Sequence, residues 1–466
     1  MMRRKYYVPI FLVVSFIFIS GTIDLNNLYN YADQSIPDYI AKDNTGDNPI
    51  TDAGATLGRV LFYDKKLSSN DQVACASCHH QEFAFGDLAT FSQGVNGLTS
   101  RNAMRLINNR FSDEAHYFWD ERASTLEEQT TMPIRDHIEM GYSGTMGDPD
   151  FSDLITELES IDYYNTLFEF VYGDPSVTEE RIQMAIAQFL RSIQSFDSKY
   201  DQGRSLVEDD STPFPNFTGF ENAGKLLFIT LPEFDSSGSR ISGGVGCAQC
   251  HRPPEFDIDP ESLHNHTGFG IDSLVTKAPT IRDLVNPLGQ FNGEFMHNNT
   301  LSNFLHILGH YDGLTTVVTQ SNNNLDPRLR PNGHLQRLNI TPQETNDLTD
   351  FLRTLTGQNV YTDPKWSDPF DANGDIEIIT LGIDDFDRNK FKIYPNPVID
   401  EMNIVTELDN LTFLIYNLNG QLIKTYSSNQ KEKTCLDLSS LASNSYIMKI
   451  QNSNKKALKS IKFIKK

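Results

Sequence analysis

Two short stretches, "CASCH" (Cys75, Cys78, His79) and "CAQCH" (Cys247, Cys250, His251), constrain this chain more than anything else in it. Two residues between the cysteines put both sulfurs on neighbouring parts of one helical turn, within reach of the two vinyl groups of a haem. The histidine immediately after then lies under the iron as proximal ligand. The competing readings are a four-cysteine zinc site, disulfides, and a thioredoxin-like redox pair. A zinc ribbon spaces its pairs roughly 15–20 residues apart, whereas 172 residues separate Cys75 from Cys247. None of the three accounts for a histidine after both pairs. The pattern predicts two covalently bound haem c groups, with His79 and His251 on the irons.

The rest of the composition is that of a water-soluble globular protein, 38% hydrophobic and 22% charged. At 466 residues the chain has room for roughly three domains. Its formal charge of −23 argues against nucleic acid as a partner, because phosphate binding needs a basic surface. The charge is uneven. From Glu401 onward ten Lys face five Asp or Glu, a net of +5 against −28 for the remainder, which suggests parts of separate origin. The acidic body serves solubility first, and such a face can also steer a small basic redox protein.

The first residues, "MMRRKYYVPIFLVVSFIFISGT", place Arg3, Arg4 and Lys5 before an apolar run from Tyr6 to about Gly21 that is short for a membrane span. A secretory signal over 1–21 is expected, and with it a mature protein outside the cytoplasm. No cysteine lies nearby, so a lipoprotein anchor is not indicated.

An internal repeat surrounds the motifs. "AGATLGRVLFYD" runs into "CASCHHQEF", and "ENAGKLLFIT" runs into "CAQCHRPPEF", each a short amphipathic helix, a loop, a haem motif and a turn ending in Glu-Phe. "SVTEERIQMAIAQFLRSI" carries Ile182, Ile186, Phe189, Leu190 and Ile193 at helical spacing, with Ser176 and Glu179 placed as a capping box. "TPQETNDLTDFLRTLTG" is similar, with Gly357 as its stop. The expected fold is mainly α: two cytochrome c-like haem domains in tandem, over about 48–210 and 211–358. A linker over 359–390 is rich in Asp, Pro and Gly, and its "DANGD" (Asp371 to Asp375) reads as a turn rather than a calcium loop.

The end of the chain changes period. "LTFLIYNLNGQLIKTY" alternates around an Asn419-Gly420 hairpin signal, and "YIMKI" and "LKSIKFIKK" look like further strands. A small all-β, sandwich-like domain is expected over 391–466, with Cys435 a buried core thiol.

The ordered motifs "CASCHHQEFAFGD", "RNAMRLIN", "FWDERASTLEEQ", "PIRDHIEMG", "CAQCH", "HNHTGFG", "KAPTIRD" and "FMHNN" resemble the bacterial dihaem cytochrome c peroxidases, particularly their MauG-like branch, over about residues 50–358. Separately, "KIYPNPVIDEMNI" with the lysine-rich end resembles the C-terminal sorting domain of type IX secretion cargo. That second resemblance implies contact with the secretion machinery and export to the periplasm, cell surface or medium, often with removal of the tail.

The first resemblance implies that the N-terminal haem meets hydrogen peroxide and the C-terminal haem takes electrons from a small donor, a cytochrome c or a cupredoxin. Many relatives close the first iron with a second histidine, where Val95 stands here. No histidine occurs between His80 and His116, so the far side of that iron is expected open unless His116 or His137 folds back. For the second iron, Met296 is the only methionine between Cys247 and the linker's end. A thioether opposite His251 raises the reduction potential, as an electron-entry haem requires. The family also places an axial methionine in a motif like "FMHNN", although MauG itself uses tyrosine; His297 and His264 are the rival ligands. Peroxide cleavage needs a group that moves a proton from the inner to the outer oxygen, and Glu139 matches the family's catalytic glutamate. Trp119 matches an electron relay between the haems, beside its ordinary reading as a core aromatic. A calcium ion is implied at Asn102, through its side chain, and at Lys277 and Pro279, through their carbonyls, the lysine being a departure that carbonyl ligation tolerates. Glu121 in "FWDERA" replaces a usual glycine.

The expectation is an exported dihaem peroxidase, with a homodimer among its possible assemblies. One rival uses the same cofactors to oxidise a protein or organic substrate through a high-valent iron. The other is a surface electron-transfer cytochrome without catalysis.

Overall fold

In the computed structural model, which describes residues 21–112, 116–257, 277–313, 326–380, 391–406, 408–418, 420–429, 432–452 and 457–466, side-chain caps set where most helices begin. Thr51 caps α1 (Asp52–Tyr63), Thr125 caps α2 (Leu126–Thr131) and Asp150 caps α3 (Phe151–Glu159), after which α4 (Asp162–Tyr172) starts without a side-chain cap. Thr178 caps α5 (Glu179–Ser192), Ser198 caps α6 (Lys199–Arg204) and Thr218 caps α7 (Gly219–Ile229). Asn303 caps α8 (Phe304–Asp312) and Thr341 caps α9 (Pro342–Arg353). In each capped case an oxygen accepts from an otherwise orphaned amide of the first turn. The cap of α5 differs from the expected Ser176. Thr178 lies closer to the periodic run and accepts from the Arg181 amide at 3.2 Å. Glu179 is drawn away to Arg135, whose Nε donates to it at 2.9 Å.

The repeat has a structural counterpart. Gly58 of α1 and Gly224 of α7 hold the same place in the repeated sequence, and at each a second helix crosses at minimum distance. A Cβ on Gly58 would lie 1.9 Å from the Ala185 carbonyl of α5, and one on Gly224 would lie 1.9 Å from the Asp347 carbonyl of α9. Only glycine allows that approach. Around α1 and α5 the core includes Leu61, Phe62, Ile186 and Phe189, all at most 1% exposed. Around α7 and α9 it includes Phe228, Phe256, Leu348 and Phe351, and it also takes in Tyr200 of α6, upstream of the boundary expected at 210. Both halves belong to one compact unit, residues 21–23 and 28–377. Four short strands lie within or at the edges of this part, β1 (Thr22–Asp24), β2 (Pro232–Phe234), β3 (Arg240–Gly243) and β4 (Glu377–Ile379), with β2 and β3 paired antiparallel.

The stretch expected as a linker is packed over its first part. Trp366 is 2% exposed and donates to the Ser192 hydroxyl at 3.3 Å, Tyr63 donates to the Trp366 carbonyl at 2.7 Å, and Arg59 donates to the Pro364 carbonyl at 3.1 Å. Asp371 to Asp375 form a turn, with the Asp371 carboxylate accepting from the Asn373 and Asp375 amides. Gly357 is not the stop of α9, which ends at Arg353 against the Thr354 cap. It is a point of close approach instead, where a Cβ would lie 2.2 Å from the Ser195 hydroxyl.

The second unit, residues 24–27 and 378–466 where described, holds the all-β part. One sheet has the order β11–β10–β7–β8 and the other β5–β6–β9, formed by β5 (Lys392–Tyr394), β6 (Glu401–Thr406), β7 (Leu411–Asn417), β8 (Leu422–Ser428), β9 (Glu432–Asp437), β10 (Asn444–Gln451) and β11 (Ala457–Lys465). Their inner faces share one core, with Met402, Ile404, Phe413, Ile415, Met448 and Phe463 fully buried. The β7–β8 hairpin is as expected, although Asn419 lies outside the described residues. Cys435 is a correction: it is exposed. Side chains alternate along a strand, and on β9 Thr434 and Leu436 take the inner positions, so the thiol between them faces outward.

Candidate functional site

Each Cys-x-x-Cys-His motif folds as one 3-10 turn, Cys75–Ser77 and Cys247–Gln249. In both, the histidine amide donates to the carbonyl of the first cysteine at 3.0 Å. The Nδ1 of His79 lies 3.0 Å from the Phe85 carbonyl, and the Nδ1 of His251 lies 2.9 Å from the Pro279 carbonyl. A carbonyl only accepts, so each Nδ1 carries the proton and each Nε2 keeps its lone pair for a metal. Burial favours the neutral rings, pushing the pKa of His79 down and that of His251 down to about 4. The turn behind each motif closes on a buried phenylalanine in left-handed backbone, Phe85 at φ 60° and Phe256 at φ 59°. The structural mate of Phe256 is therefore Phe85, not the Phe83 that the repeated Glu-Phe suggests.

Burial pushes the Cys75 and Cys78 thiols up to about 12 and 11, and Cys247 up to about 12. The two pairs line separate cavities, so they do not combine into one four-cysteine zinc site, and none of the four cysteines is in a disulfide. Each pair instead opens, with its histidine, onto a cavity lined mostly by apolar groups. Two sulfurs, a metal-ready imidazole and an apolar slot fit a covalently attached haem.

In the first cavity the Cys75, Cys78 and His79 side meets Phe62 of α1 and Ile186 and Leu190 of α5. Glu139 lines the same cavity, with Gln129, Pro133 and Met140 beside it. Its carboxyl is raised to about 7, chiefly by burial and then by the neighbouring Asp136, with Arg122 offsetting part of the shift. Among the described lining residues His79 is the only histidine. His116 is exposed, and His137 turns to Asp148, its Nδ1 2.8 Å from the carboxylate. Val95 donates its amide to the Glu139 carbonyl at 3.0 Å, which pins it to the segment that carries Glu139.

The second cavity brings together His251, Met296, His297, Trp119, Asn102 and Lys277. Met296 sits at φ 72° in a turn closed by pairing of Phe295 with Leu301, a conformation that costs a side-chain-bearing residue about 1–3 kcal/mol. His297 is 4% exposed with its ring edge-on to Trp119 at 6.2 Å, and His264 lies outside the described residues. Trp119 donates its indole N–H to the Asn102 carbonyl at 2.8 Å, and its own backbone carbonyl accepts the Lys277 amide at 3.0 Å, which ties two of the expected calcium positions to one residue. The third, the Pro279 carbonyl, holds His251 and has a second lone pair left. Glu121 has φ 57°, a left-handed backbone that favours glycine. Reading the sequence missed Gln129, Pro133 and Arg105, although all three stand in or beside the motifs it singled out.

Residues 52–209 match the family model for di-haem cytochrome c peroxidase, and residues 392–466 match that for the secretion system C-terminal sorting domain. The methylamine utilization protein MauG of Methylophilus methylotrophus is 27% identical over 323 residues, 66% of this chain and 84% of that protein. The cytochrome c551 peroxidase of Nitrosomonas europaea is 29% identical over 320 residues, 65% of this chain and 80% of its own. Among solved structures, a MauG-like protein associated with microbial copper homeostasis superposes with a TM-score of 0.55 at 25% identity, covering 73% of this chain and 99% of that one.

Proposed function

Since the chain belongs, through residues 52–209, to the family of di-haem cytochrome c peroxidases and MauG, and ends in a secretion sorting domain, we propose that it is an exported peroxidase reducing hydrogen peroxide to water with electrons from a small redox protein. The observation that carries this reading is the placement of Glu139 in the cavity of His79. A haem held by Cys75, Cys78 and His79 would supply an iron where peroxide binds and its O–O bond is broken, and one held by Cys247, Cys250, His251 and Met296 a one-electron store.

The chain's own part is to position and to move protons. Glu139, with its pKa near 7, is poised both to take a proton from the inner peroxide oxygen and to give it to the outer one. The apolar walls from α1 and α5 limit water around that transfer. Trp119 is the proposed relay, its ring held by the Asn102 carbonyl and its main chain by the Lys277 amide. Two cytochrome c-like domains in tandem are the proposed organisation of this unit. The sorting domain hands the chain to a secretion machinery, and no helix among the described residues is long and apolar enough to cross a membrane.

Electron paramagnetic resonance of the fully oxidised protein tests the open first iron. One high-spin and one low-spin haem are expected; two low-spin haems would mean that a residue closes the first site. The likeness to MauG favours one second reading, oxidation of a protein or organic substrate. Peroxide turnover that proceeds without reduced cytochrome c or another small donor would move that reading ahead.

Calcium at Asn102 and the carbonyls of Lys277 and Pro279 is part of the same proposal, because Asn102 and Lys277 both bond to Trp119. Removing it with a chelator is expected to slow electron transfer between the haems, with recovery on adding calcium back. Unchanged transfer in metal-free protein would remove calcium from the scheme.

A further inference from the structure

Arg105 is partly buried, and its head group is sparsely bonded. Its guanidinium makes one hydrogen bond, from Nη2 to the Thr280 carbonyl at 3.1 Å, and its Nε is buried without an acceptor. It forms no ion pair within the described residues. Asp283 is close enough to act on it only through space. A cation held partly away from water without a counter-charge is costly, so an anion bound here would stabilise this group.

The direction from which it comes is set by the fold. The Arg105 stem lies against Gly86, where a Cβ would come within 3.1 Å of it, one residue past the carbonyl that holds His79. The residue also lines the cavity of His251, and its charge bears on that imidazole. Arg328 lines the same cavity but is taken, its Nε and Nη2 donating to the Asp326 carboxylate at 2.9 and 2.6 Å. A haem in this cavity brings two propionate groups, and a planar guanidinium binds a carboxylate through paired N–H donors.

We infer that Arg105 receives a propionate of the second haem and, as a positive charge beside it, raises that haem's reduction potential. The inference rests on reading the second cavity as a haem site. A cation beside the haem disfavours the oxidised form, which carries one more positive charge. Because Arg105 touches the His79 loop with its stem and the His251 cavity with its head, its charge acts on the second haem more than on the first.

The test is a redox titration of each haem in the full chain, for wild type, R105K and R105Q, after a pyridine haemochrome count has confirmed two haems per chain. A count below two in the wild type overturns the haem reading itself and not only the role of Arg105. In R105Q the second haem is expected to fall in potential enough for at least a tenfold change in its reduced-to-oxidised ratio at fixed ambient potential, about 59 mV for one electron. R105K should lie between R105Q and wild type, and the first haem should move less. A fully loaded R105Q with an unchanged second potential overturns the inference. If R105Q fails to load, the propionate bending mode in resonance Raman decides between wild type and R105K: a changed mode supports the contact, and identical modes overturn it.

Discussion

Replacing Glu139 with glutamine is expected to lower kcat/KM for hydrogen peroxide by about 10²–10⁴-fold, with both haems still bound. Glutamine keeps the volume and one carbonyl acceptor but cannot take a proton, so binding and packing survive while proton transfer does not. The wild-type pH profile should show the same group. Burial and Asp136 raise the Glu139 carboxyl to about 7, so the fraction able to act as a base falls as pH drops through that value. Activity should accordingly fall on the acid side of about pH 7, and this limb should be missing from the glutamine variant. Steady-state peroxide consumption between pH 5 and 9 reads both effects. A glutamine variant as active as an active wild type would pass the proton to another group of the cavity, whereas negligible turnover in both would leave the chain an electron-transfer cytochrome.

What could be read from the sequence followed how local the physics was. The Cys-x-x-Cys-His motifs carry their chemistry within five residues, and the turns that orient His79 and His251 follow each motif closely in the first case and through Pro279 in the second. Glu139 was legible only through resemblance, because its raised carboxyl is made by burial from elements distant in the chain. Arg105 was passed over for the same reason: nothing about an arginine in "RNAMRLIN" says that it lines the His251 cavity with its stem against Gly86. The tail's strands were legible from alternation, but alternation alone does not fix which set faces inward, and Cys435 came out on the wrong side. Ser176 failed as a cap because a second hydroxyl, Thr178, lay nearer the helical run. Gly357 was read through local turn chemistry, whereas its need is the nearness of Ser195, 162 residues away in sequence.

The largest stability effect is expected at Asp201, where asparagine should cost about 3–5 kcal/mol. Arg282 is fully buried, and its two terminal nitrogens meet the Asp201 carboxylate at 2.9 and 3.1 Å. The same guanidinium donates to the Ser195 and Pro254 carbonyls and lies 5.1 to 5.5 Å from the rings of Phe196, Tyr200 and Phe256. Removing the carboxylate charge leaves a fully buried cation without its counter-charge, which is costlier than the lost contacts alone. The Pro254 carbonyl is three residues past His251, so the damage should reach the second haem motif as well. Urea unfolding of D201N should show a lower midpoint, with the absorbance changes of the second haem's axial ligation preceding those of the first. A double replacement, D201L with R282M, separates the causes. If the unpaired charge is what destabilises D201N, removing both charges should recover most of the loss. If the hydrogen bonds to Ser195 and Pro254 matter more, the double variant should be no better than the single one.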